Sequence, residues 1–240
     1  MTILAYHSIS TRAHPLAVAP DDFARQLDQL ASSHVVPLRE YLGRLRSRVP
    51  TNDCVALTFD DGYRDFAEHA LPALFERGYP STTFVAPALV GSTLEVDDAG
   101  SAVDTAWPLM DWSEIAAVAA EGVEIGSHSM THVNLTRIDD GRLKEEVTAS
   151  KTALEDVLGT TIDGFCYPAG WYDDRVVAAV AAAGYTWAVV TPRTWRHQGD
   201  DLTVRRVGIY RHDDNLRFRL KLTRAGRLIG RGQRWLRGTR

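Results

Sequence analysis

Four short segments of this 240-residue chain hold the residue types that do chemistry. Leu57-Thr58-Phe59-Asp60-Asp61-Gly62 ends an apolar run with two adjacent carboxylates. Acids this close repel unless a cation or a shared proton separates their roles. Taken alone, Asp-Asp-Gly is also an ordinary solvated turn from strand to helix. His128 and His132 lie four residues apart. On a helical turn that spacing puts both imidazoles on one side, where they suit a single metal ion; two surface histidines placed by chance are the plainer reading. Adding a carboxylate makes a three-ligand set with room for water, as in catalytic zinc sites and non-haem iron triads. Phe165-Cys166-Tyr167-Pro168-Ala169-Gly170 leaves another apolar run through a tight turn, which could aim a backbone N–H at a developing oxyanion. Tyr6-His7 ends the first apolar run, where a lone histidine is more often structural than catalytic.

The elements that must position these groups alternate along the chain. Strand-like runs are expected at Ile3–His7, Val35–Leu38, Cys54–Phe59, Ser81–Ala86, Val123–Ser127, Gly164–Tyr167, Thr186–Val190 and Val204–Ile209. Between them the apolar period switches to that of helices. One begins at Asp21-Asp22, and another passes through Tyr41, Leu42 and Leu45. Others cover Tyr63–Arg77, Asp111 to Gly122, Asp140–Leu158 and Asp174–Ala183. Seven or eight such units favour a parallel sheet closed as a barrel. Residues 91–108 break the rhythm and read as a loop over one rim. All four chemical segments follow the C-terminal ends of strands, the rim where α/β barrels gather catalytic groups.

Composition narrows the classes. A 45% hydrophobic and 24% charged chain is ordinary for a globular protein, and no apolar run approaches membrane-spanning length. The N-terminus does not read as a signal peptide, so a cytoplasmic location is expected. Cys54 and Cys166 lie in apolar contexts and read as buried thiols rather than a disulfide. The net charge of −4 conceals nine Lys/Arg and no acid in residues 215–240, which leaves −13 on the rest. Residues 216–240 therefore read as a basic tail attached to a domain spanning 1–215. Leu216, Phe218, Leu220, Leu222, Leu228, Ile229, Trp235 and Leu236 interleave with its cations, a pattern suited to an anionic membrane surface, although Gly226, Gly230 and Gly232 weaken any single helix there. Nucleic acid fits poorly, because the body is acidic and carries no recognised module.

Thr58-Phe59-Asp60-Asp61-Gly62 and His128-Ser129-Met130-Thr131-His132 resemble the signature motifs of the polysaccharide deacetylases, carbohydrate esterase family 4, across about residues 1–215. Tyr6-His7 and Tyr167-Pro168-Ala169-Gly170 resemble the permuted branch acting on poly-N-acetylglucosamine. The resemblance implies a distorted (β/α)7 barrel, with Asp61, His128 and His132 binding a divalent metal, zinc first, with cobalt or nickel also suited. It makes Asp60 the general base and His7 the general acid, with the Ala169 N–H an oxyanion donor. Tyr63, Tyr167, Pro168, Trp171 and Tyr172 are its candidate sugar contacts. Many relatives carry a base-orienting arginine where this chain has Cys166, and Arg206 is the substitute to test. The family's usual aromatic at the Ala169 position is missing, and Trp171 or Tyr172 could take its place. His212, in Arg-His-Asp-Asp, ranks below His7 as the acid. The implied reaction is N-deacetylation of an amino-sugar glycan or a lipid-linked sugar, with membrane contact through the tail. Two alternatives use the same barrel: hydrolysis of a formamide or cyclic imide on a small molecule, and glycan binding without catalysis.

Overall fold

A computed structural model describes residues 2–50, 53–95, 106–191 and 200–223. Its strands are β1 (Thr2–Tyr6), β2 (Ser8–Ile9), β3 (Ala17–Val18), β4 (His34–Val35), β5 (Cys54–Phe59), β6 (Ser81–Val85), β7 (Thr93–Glu95), β8 (Ala106–Pro108), β9 (Glu124–Ser127), β10 (Gly164–Cys166), β11 (Trp187–Val190), β12 (Val204–Arg205) and β13 (Val207–Gly208). The α-helices are α1 (Pro20–Asp28), α2 (Leu38–Arg46), α3 (Leu71–Phe75), α4 (Trp112–Ala120), α5 (Asp140–Leu158), α6 (Asp174–Ala182) and α7 (Asn215–Leu222).

The main sheet runs β12-β11-β10-β9-β6-β5-β1-β13, parallel throughout, and β4 joins the first half of β5. Closure comes from the segment 204–208, which the sequence suggests is one strand. It divides at Arg206: β12 pairs with β11, and β13 pairs with β1. The Arg206 N–H still reaches the Val190 carbonyl at 2.9 Å, while the Ile209 N–H reaches that of Ala5 at 2.8 Å. One bent stave thus joins both edges of the sheet into a barrel.

Side chains alternate across these strands with a period of two. Val55, Leu57 and Phe59 pack in the larger apolar cluster, beside Leu27 of α1, Leu143 of α5 and Val176 of α6. Cys54 and Ala56 join Ile3, Phe84, Cys166, Trp187 and Val189 in a second cluster, closed at one end by Leu38, Tyr41 and Leu42 of α2. The phase of β5 therefore carries Thr58 and Asp60 inward. Gly164 leaves space for Trp187, whose ring would lie 2.0 Å from any Cβ added there.

Two helices carry the terminators their sequences announce. Asp111 and Glu114 form a capping box at the start of α4, and Gly159 closes α5 in the left-handed conformation. The single helix expected over Tyr63–Arg77 is instead a π-helical turn, Phe66–Ala70, followed by α3. Pro72 has no N–H to donate back along a helix, and the π turn directly precedes it. The rim loop expected at 91–108 contains the antiparallel hairpin β7–β8, with residues 96–105 outside the described set. Helix α7 occupies the start of the basic tail. It is anchored by buried Phe218 and by Lys221, which donates to the Gly208 carbonyl at 2.8 Å and pairs with buried Asp213. Residues 224–240 lie outside the described residues.

Candidate active site

Asp60 is the last inward side chain of the β5 line, and it meets Arg206 from the bent stave. The guanidinium donates to both carboxylate oxygens, Nη1 to Oδ1 at 2.7 Å and Nη2 to Oδ2 at 2.6 Å. Nη1 also reaches Thr58 Oγ1 at 2.9 Å, and Nη2 reaches Cys166 Sγ at 3.0 Å. Arg206 is only 4% exposed, and its charge lies over the Phe84 ring. Burial raises the Asp60 pKa, but the charge and hydrogen bonds of Arg206 outweigh it and hold the carboxyl below its usual range. His7 follows β1 with Nε2 3.9 Å from Asp60 Oδ2. Burial pulls its imidazole pKa down, against the pull of Asp60 and Asp61 upward.

Asp61 departs from the strand at φ 71°, a left-handed conformation rare for a residue with a Cβ. Its Oδ1 lies 3.3 Å from His128 Nε2 and 3.2 Å from His132 Nε2. The two histidines do not share a helical turn as their spacing suggested. His128 to His132 is a loop after β9, with Ser129 at φ 62° and His132 at φ 58°. Those reversals bring the imidazole centroids to 4.8 Å. Ala169, at φ 50°, repeats the device in the third segment. Of the five non-glycine residues with positive φ among the described residues, only Arg48 lies elsewhere, so their strained backbone gathers at this rim.

The chemistry of the donor set tests whether a cation belongs here. His128 Nδ1 lies 2.8 Å from the Cys166 carbonyl oxygen, which can only accept, so Nδ1 carries a proton. In a neutral ring that leaves the Nε2 lone pair facing the Asp61 carboxylate. Two acceptors at 3.3 Å require a proton or a cation between them. Asp61, His128 and His132 offer one oxygen and two nitrogens within 4.8 Å of one another, which suits a divalent ion. Asp60, His128 and Cys166 also fall within 4.8 Å. That alternative fits less well: Asp60 is closed on Arg206, and burial pushes the Cys166 thiol well up and away from the thiolate a metal needs. In the Asp61 group, burial raises the Asp61 pKa, but the facing imidazoles of His128 and His132 outweigh it and hold the carboxyl well below the usual range. The same contacts raise His132 despite its burial.

The remaining candidate residues separate by exposure. Ala169 stands exposed in the turn after β10, and none of the hydrogen bonds folding that turn among the described residues uses its N–H. Gly170 beside it admits no side chain, because a Cβ would lie 2.2 Å from the Thr191 carbonyl oxygen. Trp171 is 36% exposed, and Tyr172 is partly buried against Tyr167. Pro168 is buried, and buried Tyr167 donates its hydroxyl to the Leu202 carbonyl. Tyr63 is buried under Trp107, with ring centroids 5.0 Å apart. His212 is exposed and stacks on Tyr210. Both cysteines are buried and free. Sequence reasoning missed the cluster around Trp107, where Arg12 and His14 meet the ring. The lone Trp in the interrupting segment was its only signal. Glu146 was missed altogether, for it reads as an ordinary helix-surface acid.

Fold and site together define an α/β-barrel protein with paired carboxylates and, at the C-terminal rim, three residues that could hold a cation. The chain belongs to the polysaccharide deacetylase family, whose family model matches residues 47–188. Over 194 residues it is 25% identical to YxkH of Bacillus subtilis, a protein assigned to the polysaccharide deacetylases, covering 80% of this chain and 64% of that one. Over 158 residues it is 29% identical to a chitooligosaccharide deacetylase of Bradyrhizobium, covering 64% of each. It thus spans slightly under two thirds of these relatives. The solved structure of IcaB from Ammonifex degensii superposes with a TM-score of 0.76 at 23% identity, covering 94% of this chain and 96% of that one, a match of fold.

Proposed function

We propose that this protein is a metal-dependent deacetylase that hydrolyses the N-acetyl group of an amino-sugar glycan. The observation that carries the reading is the separation of the paired carboxylates, with Asp60 closed on Arg206 and Asp61 facing His128 and His132. A divalent cation held by Asp61, His128 and His132, zinc by preference, would polarise an amide carbonyl and lower the pKa of water. Asp60, kept ionised by Arg206, takes a proton from the attacking water. His7 gives one to the departing amine. Since burial keeps its imidazole neutral beforehand, that proton is acquired during turnover, and Asp60 at 3.9 Å is a nearby source. The Ala169 N–H steadies the negative charge that develops on the carbonyl oxygen, and exposed Trp171 offers a face to a sugar ring.

The chitooligosaccharide relative supports an N-acetylglucosamine-type substrate. Leu216 and Leu220 lie exposed on α7 among Arg217 and Arg219, which supports contact with an anionic membrane and, with it, a lipid-linked form of the sugar. Acetate release from N-acetylglucosamine oligomers by zinc-reconstituted protein tests the reaction, with N-formyl and imide compounds as the competing substrates. Salt-sensitive binding to anionic liposomes tests the membrane contact. Hydrolysis of the imide but not the acetamide would reassign the reaction.

A further inference from the structure

Two of the three candidate ligands depend on a loop whose backbone L-residues ordinarily avoid. Ser129 and His132 are both left-handed, with Met130 and Thr131 between them. Such a loop needs contacts that hold it in place. One is internal, where Ser129 Oγ accepts the His132 N–H at 3.1 Å. A second ties the Met130 carbonyl to the Ala88 N–H at 3.0 Å. The third comes from α5. Glu146 receives the Thr131 N–H on Oε2 at 2.9 Å and the Thr131 hydroxyl on Oε1. Glu146 is 3% exposed, and Arg142 lies 3.5 Å from its Oε1. One turn further along α5, Ser150 accepts from Ser127 at the end of β9. The helix thus holds both the strand and the loop it feeds. Burying a carboxylate is unfavourable unless donors satisfy it, and two of those donors belong to one residue of the histidine loop.

We propose that Glu146 is a positioning residue for the cation site. By fixing the Thr131 peptide it sets the direction of His132, so that Nε2 faces Asp61. It touches neither cation nor substrate. The proposal rests on the reading of Asp61, His128 and His132 as that site.

The test titrates metal-stripped, full-length protein with Zn2+ alone, by calorimetry. Glu146→Ala is expected to weaken Zn2+ binding about 10–100-fold, the range for losing an outer partner of a metal ligand, with the circular dichroism spectrum unchanged. Glu146→Gln keeps a carbonyl for the Thr131 N–H and gains an amide that can donate to the hydroxyl, so its affinity should stay within about threefold of the parent. A purely structural role would lower the melting temperature of the stripped protein and leave Zn2+ affinity untouched; that result overturns the proposal. Should Glu146→Ala not fold, Thr131→Val decides: several-fold weaker Zn2+ binding supports the proposal, and parental affinity defeats it. His128→Ala keeps the two readings apart. If the parent binds Zn2+ and His128→Ala does not, the cation site stands whichever way Glu146 falls. A parent that binds no Zn2+ defeats both.

Discussion

Asp60 points into the barrel against Arg206, whereas Asp61, one residue later, turns through a left-handed backbone toward His128 and His132. The first carboxylate has a permanent counterion supplied by the fold. The second faces two imidazoles, one of them with its free nitrogen turned toward the carboxylate. Identical side chains thus acquire different chemistry from the elements that face them. A carboxylate already closed on a guanidinium is a poor metal ligand but remains ionised and available to a proton. One facing nitrogen lone pairs favours a cation. The repulsion expected between adjacent acids is eased by the guanidinium on Asp60, and a cation held by Asp61 and its histidines would complete the balance.

The severest break in this comparison is His128→Ala. It should abolish stoichiometric zinc binding by calorimetry and lower acetate release by about 10⁴-fold, since several kcal/mol of charge stabilisation depend on the cation. Asp60→Asn attacks the other side alone. Zinc affinity should stay near parental while kcat falls roughly 10³-fold, within the usual range for a lost general base. If zinc affinity fell with it, the two carboxylates would not be functionally separate.

Arg206→Met removes what distinguishes the two acids. Breaking a buried ion pair costs about 3–5 kcal/mol, readable by urea unfolding. The pH dependence has a definite sign. In the parent the Asp60 pKa is depressed, so its ionised form contributes stability above the ordinary carboxylate range, and that contribution is lost as pH falls through the depressed value. Without Arg206, burial is opposed only by the weaker pull of His128 and His7, and the acid limb of the kcat/KM profile should move to higher pH. The mildest change, Trp171→Ala, lies outside both partnerships. It should raise KM about two- to tenfold, the worth of one aromatic contact, and leave kcat alone.

Much of this was legible because strand periodicity fixes direction. Once Cys54–Phe59 is a buried strand, the side of Asp60 follows from the alternation, and its position at the strand end places it on the rim. The His128–His132 spacing was legible as a pair but not as a shape. Four residues bring two side chains together on a helix, and equally across a loop with two left-handed turns; only tertiary contacts choose between them. The Arg206 pairing crosses 146 positions of chain, and two adjacent arginines in an otherwise apolar strand only hint that one has a buried partner. Glu146 gave no hint, because a glutamate in a helix of alternating charges is ordinarily solvated. The hairpin within 91–108 was read as loop because its strands are three residues each, too short for periodicity to register.

The bent stave at 204–208 also has a consequence in time. A ribosome releases the chain from its N-terminus, so Asp60, Asp61, His128 and His132 all emerge before Val204. A nascent chain at that stage owns every candidate metal ligand but has neither a closed barrel nor a counterion for Asp60. Because Arg206 sits at the joint between β12 and β13, shutting the ring and giving Asp60 its counterion are one event. Closure and the counterion therefore arrive with the segment 204–208, after all four motifs have been made.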